Sequence, residues 1–256
     1  MVQFVAVHGA CHGAWVYYKL KPRVEAAGHK FTAVNLGASG INEKKLEELH
    51  SLYDYTLPLL EVLGSIPDGE KVVLIGHSGG GMSAALGMEK YPDKISVAVF
   101  LNAIMPDSTN RPSFVLEKYS AETPIEAWKD SKFAAYGTDP QITSVTVGPE
   151  FISSTLYHLS PVEDYTLGTL LVRPGSLFIE DLLKADKFTD GGFGSVKRVY
   201  VVCTEDRTIP EEFQRWMIKN NPVTEVKELK GADHMPMFSK PDALSQCLNE
   251  IAETYA

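Results

Sequence analysis

The sequence contains few cysteines, and none of them form a recognisable metal or disulfide pattern. Cys11, Cys203 and Cys247 are the only three among 256 residues, and they are widely spaced with no Cys-x-x-Cys pair. This spacing excludes the common zinc-binding and redox motifs. Reduced thiols in a cytoplasmic protein are the simplest interpretation, so we expect a cytoplasmic location and no metal.

The sequence also lacks an excess of positive charge and a long apolar run. It has 24 Lys and Arg against 33 Asp and Glu, for a net charge of −9. Nucleic-acid-binding proteins usually carry a basic footprint, so we expect no nucleic-acid partner. No run approaches the ~18 apolar residues of a membrane span. The segment after Met1 does not resemble a signal peptide, and we expect no membrane association.

Apolar strand-like runs alternate with stretches that have a helical period of apolar residues. The strand-like runs are Phe4–Val7, Phe31–Leu36, Val72–Ile75, Val97–Leu101, Val199–Val202 and Thr224–Leu229. The helical stretches are Ala14–Ala27, Leu46–Leu63, Met82–Lys90, Pro210–Asn220 and Asp242–Tyr255. This alternation predicts an α/β fold with a mostly parallel sheet flanked by helices. The last run alternates apolar and polar residues, which favours a sheet edge.

The alternation is interrupted over residues 107–194. This stretch is rich in proline and glycine and includes the helical pieces Ile125–Phe133 and Val162–Val172. We predict one domain over residues 1–256, with a core of 1–106 and 195–256 and an inserted cap, or lid, at about 107–194. Ligands bind beyond the carboxyl ends of such sheets, which favours a cap over the alternative of further irregular core structure.

A Gly-x-Ser-x-Gly turn at residues 76–80 is the most informative motif. It follows the apolar run Val72–Ile75 and precedes a helical stretch. This is the setting of a nucleophile elbow, in which a strained turn lifts a serine hydroxyl above the sheet. The five-residue pattern by itself also fits an ordinary glycine-rich turn. Its flanking strand and helix favour Ser78 as a nucleophile.

His234 is the candidate general base for Ser78. It follows the run Thr224–Leu229 through a loop of small residues and precedes the last helix. A serine hydroxyl needs such a base because it is a weak nucleophile at neutral pH. A plain surface-loop histidine is the alternative. The weaker candidates are His8 and His12 near the first strand, His77 in the elbow, His29 and His50 at the surface, and His158 in the cap.

The acid that orients the histidine is expected just after a late strand. Asp206 and Glu205 both follow the run Val199–Val202, and the residues alone favour Asp206 only weakly. Asp233 is too close to His234 in sequence to orient its ring. The acid would hold one imidazole tautomer and stabilise the imidazolium.

The expected oxyanion hole combines two backbone N–H groups. One belongs to the residue after the nucleophile, Gly79, and the other to an early strand–helix loop, where Ala10 is the candidate. The early loop is rich in glycine, so an ordinary turn is the alternative. It contains neither a Gly-x-Gly-x-x-Gly nor a Walker lysine, which argues against phosphate binding.

Seven segments together resemble the plant methylesterase group of the α/β-hydrolase superfamily, over essentially the whole chain. They are His8–Trp15, Ala38–Gly40, Gly76–Gly80, Phe100–Asp107, Arg173–Pro174, Gly194–Tyr200 and Gly231–Met235. The group includes esterases acting on methyl salicylate and on polyneuridine aldehyde, and hydroxynitrile lyases and methylketone synthases are related. The resemblance implies the α/β-hydrolase fold and a catalytic triad of Ser78, Asp206 and His234. It favours Asp206 over Glu205.

The resemblance further implies an oxyanion hole at Ala10 and Gly79 and a cap over a buried apolar pocket. It implies a cytoplasmic homodimer that needs no cofactor. Gly9 lies at the pocket, and the other pocket positions of the family fall on Ile104, Tyr119, Trp128, Phe133, Leu177 and Met235. The alternative for the apolar and aromatic positions is that they form only the core of the cap.

The expected activity is hydrolysis of methyl esters of small plant metabolites, such as hormone or alkaloid esters, to carboxylic acids. Hydroxynitrile lyases carry threonine or asparagine where this chain has Gly9, and some carry lysine at Met235, so a lyase that releases an aldehyde and cyanide is the weaker alternative. A small-acid binding protein with little turnover is a third. Gly79 departs from the bulkier residue usual in these esterases, which predicts a roomier or differently shaped site.

Overall fold

Nine strands lie in the part of the chain that the structure, a computed structural model, describes, residues 1–138 and 141–256. They are β1 (Gln3–Val7), β2 (Lys30–Val34), β3 (Val72–His77), β4 (Ile95–Leu101), β5 (Lys132–Tyr136), β6 (Ile142–Thr146), β7 (Gly175–Ser176), β8 (Arg198–Cys203) and β9 (Glu225–Leu229). All six strand-like runs of the sequence are therefore strands, with ends displaced by one or two residues.

The central sheet has six strands in the order β2-β1-β3-β4-β8-β9, and every pair in it is parallel. Strand β3 is buried along its whole length, as expected for a strand covered on both faces. Strand β9 lies at the edge and alternates between half-buried and exposed residues until Leu229, which confirms its predicted place. Two apolar clusters cover the two faces of the sheet.

Ten α-helices surround the strands in the described residues. They are α1 (Leu20–Ala26), α2 (Leu52–Gly64), α3 (Gly80–Lys90), α4 (Phe114–Glu122), α5 (Pro149–Phe151), α6 (Val162–Leu171), α7 (Ile179–Leu182), α8 (Glu211–Asn220), α9 (Pro236–Ser239) and α10 (Pro241–Tyr255). A π-helical turn spans Ile152–Leu156, and 3-10 turns span Ala14–Tyr17, Leu46–Glu48, Pro92–Lys94, Ile125–Trp128 and Phe193–Ser195. Across the described ranges, no helix is long and apolar enough to cross a membrane.

Two helices are shorter than the sequence predicted because local signals break them. The stretch predicted as Ala14–Ala27 divides into a 3-10 turn and α1. The stretch predicted as Leu46–Leu63 divides before α2, where the Ser51 hydroxyl accepts a hydrogen bond from the Asp54 amide. That hydroxyl is an N-cap, which starts a new helix.

The segment between β4 and β8, which the sequence predicts to be the cap, contains a second, antiparallel sheet in the order β5-β6-β7. The predicted helix Ile125–Phe133 is wrong beyond its first turn. The 3-10 turn Ile125–Trp128 is followed by Lys129, whose φ is +54°, and then by β5. Phe133 therefore lies on a strand, because the chain reverses where a helical pattern alone would continue.

Candidate active site

Ser78 occupies a strained turn between β3 and α3. Its φ is +54°, a left-handed conformation that is uncommon for serine. The flanking glycines are required by space: a Cβ on Gly76 would stand 2.8 Å from the Ala84 Cβ, and one on Gly80 would stand 2.4 Å from the His8 carbonyl oxygen. Because only glycine fits at these two positions, the chain can turn sharply between β3 and α3. The turn then presents the serine hydroxyl at the carboxyl end of the sheet.

The structure brings Ser78, His234 and Asp206 together in one hydrogen-bonded chain. The Ser78 Oγ lies 2.9 Å from the His234 Nε2, and the His234 Nδ1 lies 2.8 Å from the Asp206 Oδ2. Ser78 precedes Asp206 by 128 residues and His234 by 156. Parallel strands unite them because all carboxyl ends meet at one edge of the sheet. With Nδ1–H donating to the carboxylate, Nε2 is free to accept the serine proton.

The loop after β8 turns Asp206 inward. Its Oδ1 accepts hydrogen bonds from the backbone amides of Thr208, at 2.7 Å, and Ile209, at 2.9 Å. Glu205 is exposed, and its backbone amide is bonded to the Ala232 carbonyl at 3.0 Å. Of the two carboxyl groups that follow this strand, the structure thus places Asp206 against the histidine.

Asp233 anchors the His234 loop to the cap. Its Oδ2 accepts from the Leu159 amide at 3.0 Å and from the Ser160 hydroxyl at 2.9 Å, and its Oδ1 accepts from the Met235 amide at 3.0 Å. Asp233 therefore does not orient the imidazole ring, as expected from its position. It instead holds the loop that carries the ring.

Asn102 is a site residue that the sequence analysis missed. It directly follows β4, is fully buried and has a φ of +33°, a region that asparagine tolerates better than most residues. Its Nδ2 lies 2.8 Å from the Asp206 Oδ2 and 3.0 Å from the His234 carbonyl oxygen. The available signal was its position: a polar residue at the carboxyl end of a central strand.

Gly79, directly after Ser78, packs against the backbone of Ala10. A Cβ on Gly79 would stand 3.6 Å from the Ala10 nitrogen. Among residues 1–138 and 141–256, neither amide finds a backbone acceptor. Gly79 also caps α3, whose N-terminus carries a partial positive charge. The arrangement is suited to receive a negatively charged oxygen.

A narrow cavity of about 60 Å³ opens against Ser78. Of the predicted pocket residues, Gly9, Ile104, Tyr119, Trp128 and Leu177 line it, together with Ala10 and Gly79. Lining residues that the sequence analysis missed are Cys11, Val145, Val147, Phe151, Leu156, Thr208 and Ile209. Most of these lie on cap segments, where the order of residues along the chain gives little information about contacts.

Phe133 and Met235 do not line this cavity, and their prediction is corrected here. Phe133 is 41% exposed on β5 and borders a neighbouring cavity instead. Met235 is fully buried in the apolar cluster that contains Phe238 and Leu244. Its amide bond to Asp233 holds it in the turn before α9, so its side chain forms part of the core.

Three further histidines near the serine are buried and neutral at pH 7. Burial lowers the pKa of His8 and of His12 to about 4, and it holds the pKa of His77 well below its usual value. His12 bridges the Ala10 carbonyl, 2.8 Å from Nδ1, and the Tyr157 hydroxyl, 2.9 Å from Nε2. His77 Nε2 lies 2.8 Å from the His234 carbonyl oxygen. These histidines shape the loops around the site.

Comparison with known proteins agrees with this geometry. Residues 4–246 match the model of the alpha/beta hydrolase family. The chain is 59% identical over 253 residues to salicylic acid-binding protein 2 of Nicotiana tabacum, covering 98% of this chain and 97% of that one. It is 54% identical over 253 residues to methylesterase 1 of Arabidopsis thaliana, covering 98% and 96%.

The fold is also that of a solved structure. The crystal structure of polyneuridine aldehyde esterase superposes with a TM-score of 0.96 at 49% identity, over 98% of this chain and 99% of that one. The chain therefore belongs to the alpha/beta hydrolase family, among the plant methylesterases, and is an esterase.

Proposed function

We propose that this protein hydrolyses methyl esters of small plant carboxylic acids through an acyl-enzyme formed on Ser78. The observation that carries the proposal is the continuous hydrogen-bonded chain from the Ser78 Oγ through the His234 ring to the Asp206 carboxylate. The names of the relatives, which include esterases and a binder of salicylic acid, support an ester of a small acid as the substrate.

In the first half-reaction, Ser78 attacks the ester carbonyl while His234 Nε2 takes the hydroxyl proton. Asp206 holds the ring by its Nδ1–H and stabilises the imidazolium. The carbonyl oxygen becomes an oxyanion, which the Ala10 and Gly79 amides stabilise by hydrogen bonds. His234 then returns the proton to the departing methoxide, and methanol leaves.

In the second half-reaction, His234 takes a proton from a water molecule that attacks the acyl-enzyme. The same two amides stabilise the second oxyanion, and the proton passes back to Ser78 as the carboxylic acid forms. Every proton transfer uses groups of the chain and water, so the reaction as written calls for neither a metal nor an organic cofactor.

The lining of the cavity supports a neutral, apolar acyl group. Ile104, Trp128 and Leu177 present carbon surface, and burial raises the pKa of the Cys11 thiol to about 12, which keeps it uncharged. Gly9 provides no polar side chain, and the Met235 side chain is buried elsewhere. Gly9 and Met235 therefore do not supply the polar side chains that hydroxynitrile lyases carry at these two positions.

We further propose that the protein is a cytoplasmic homodimer and that its cap spans residues 107–194. The three buried free cysteines are compatible with a reducing compartment. Light scattering coupled to size-exclusion chromatography tests the dimer directly, since a mass near one chain of 28.2 kDa would contradict it.

The decisive experiment is Ser78→Ala, assayed on methyl salicylate, methyl jasmonate, methyl indole-acetate and p-nitrophenyl acetate. We expect a loss of about 10⁴-fold or more in kcat with an unchanged circular dichroism spectrum. Ser153→Ala, on an exposed cap position, is the matched control and should retain full activity. Unchanged turnover in Ser78→Ala would refute the mechanism, and cleavage of mandelonitrile in place of the esters would favour the lyase.

A further inference from the structure

We infer that the larger cavity beside the active site receives the far end of an extended, apolar acyl group. The favoured substrates are then methyl esters of elongated acids rather than compact ones. This inference rests on the proposed esterase function and specifies the substrate class for the same site.

The cavity against Ser78 is smaller than most ligand sites. Its volume of about 60 Å³ corresponds to roughly five water-sized spheres, whereas ligand sites usually span about 300 Å³ or more. A second cavity of about 360 Å³ lies directly alongside it. Trp128, Val145 and Leu177 border both cavities and form the wall between them. An acyl group that outgrows the first cavity therefore meets this wall.

Leu177 and Gly79 determine how this wall is built. A Cβ on Gly79 would stand 3.0 Å from the Leu177 Cδ2, closer than most real Cβ contacts. The Gly79 φ is −56°, which any residue adopts, so the backbone itself does not require glycine. A side chain at position 79 would have to displace Leu177. The space that glycine leaves in this chain is therefore occupied by Leu177, and the expected roomier site is found beyond Leu177 rather than at Gly79.

The residues that line the second cavity suit an uncharged acyl chain. Ile125, Phe133 and Phe178 supply apolar surface. Glu180 is the only charged residue among the described lining residues, and its Oε1 already accepts bonds from the Thr143 amide, at 3.2 Å, and the Thr143 hydroxyl, at 2.5 Å. A second carboxylate on the acid would be repelled by this carboxylate. The inferred occupant is an apolar chain without a distal negative charge.

The test is kcat/KM for straight-chain methyl esters from acetate to dodecanoate. Burial of a methylene favours binding by about fourfold, so kcat/KM of the unmodified protein should rise steeply once the acyl chain passes Leu177. Gly79→Leu should abolish this rise, because Leu177 is pushed into the second cavity, and an unchanged circular dichroism spectrum reports that the variant is folded.

Leu177→Ala and Phe133→Ala complete the design. Leu177→Ala removes side-chain atoms between the two cavities and should shift the highest kcat/KM to longer acyl chains. Phe133→Ala removes apolar surface from the second cavity and should reduce kcat/KM only for the long-chain esters. Leu170→Ala, on an exposed residue of α6 outside both cavities, should change nothing.

Three outcomes would overturn the inference. One is a flat chain-length profile in the unmodified protein. A second is an equal change at all lengths in Phe133→Ala, which would make the larger cavity only an entrance. The third is an absence of turnover for every ester, methyl acetate included, and this result alone would also refute the proposed esterase function.

Discussion

The side-chain amide of Asn102 donates to the same Asp206 oxygen that accepts the Nδ1–H of His234, with both contacts at 2.8 Å. The same amide reaches the His234 carbonyl oxygen at 3.0 Å, and His77 donates to that oxygen from the other side. Asn102 is thus a positioning residue, because it fixes the acid and the base relative to each other without touching the cavity.

Replacing Asn102 by glycine should therefore weaken catalysis without disturbing the turn. Glycine accepts the φ of +33°, so only the amide is lost. We expect kcat/KM to fall about tenfold, the typical value for a hydrogen bond to a charged group. The loss should fall on kcat rather than on KM, since the Asn102 amide contacts the acid and the base but does not line the cavity.

Asn102→Ala provides the matched comparison, because it also lacks the amide but is strained at a positive φ. It should lose more stability than Asn102→Gly and show the same fall in kcat at an unchanged KM. A lower stability with an unchanged kcat in both variants would indicate a purely structural role for Asn102.

The two neighbouring carboxyl groups after β8 should differ greatly in importance. Asp206→Asn should lower kcat by about 10⁴-fold, because the amide favours the wrong imidazole tautomer. Glu205→Gln is the isosteric control at an exposed position and should remain within twofold of the unmodified protein. Steady-state kinetics on p-nitrophenyl acetate measures both, and equal losses in the two variants would contradict the assignment of the acid.

The buried histidines predict that the fold is sensitive to acid. The pKa of His8 and of His12 is about 4 in the folded chain, against 6.5 for an ordinary histidine. Between these values the unfolded chain binds more protons than the folded chain. The free energy of unfolding should therefore fall as pH drops below 6.5, by about 1.4 kcal/mol per pH unit for each such histidine.

Urea denaturation at several pH values between 4 and 7.5 measures this slope. His12→Gln should reduce the slope by about one proton, whereas His50→Gln, at an exposed residue, should leave it unchanged. An identical slope in His12→Gln and the unmodified protein would show that His12 does not contribute to acid sensitivity.

The fold and the candidate triad could be predicted because their signals are local. The elbow combines an apolar run with glycines whose spacing has a steric reason, and His234 and Asp206 each follow a recognisable strand. Choosing between Asp206 and Glu205 relied on the resemblance, although one local signal was available. An aspartate commonly closes a turn by accepting from the amide two residues later, as Asp206 does from Thr208.

The contributions of Asn102 and of the cap could not be predicted in the same way. Asn102 acts through contacts to residues 104 and 132 positions away. Phe133 fits a helical pattern equally well, and only its pairing with Val145 in the small sheet places it on a strand facing the second cavity. Such features depend on how distant segments pack, which periodicity does not encode.

Because the Asp233 side chain binds both Leu159 and Ser160, the segment that covers the cavity and the segment that carries the imidazole are tied at one carboxylate. If Leu159 and Ser160 move away from the site, both of these bonds break and the Asp233 side of the histidine loop loses its support. The contacts of the His234 carbonyl oxygen with Asn102 and His77 do not involve that segment, so the imidazole is then held from one side only.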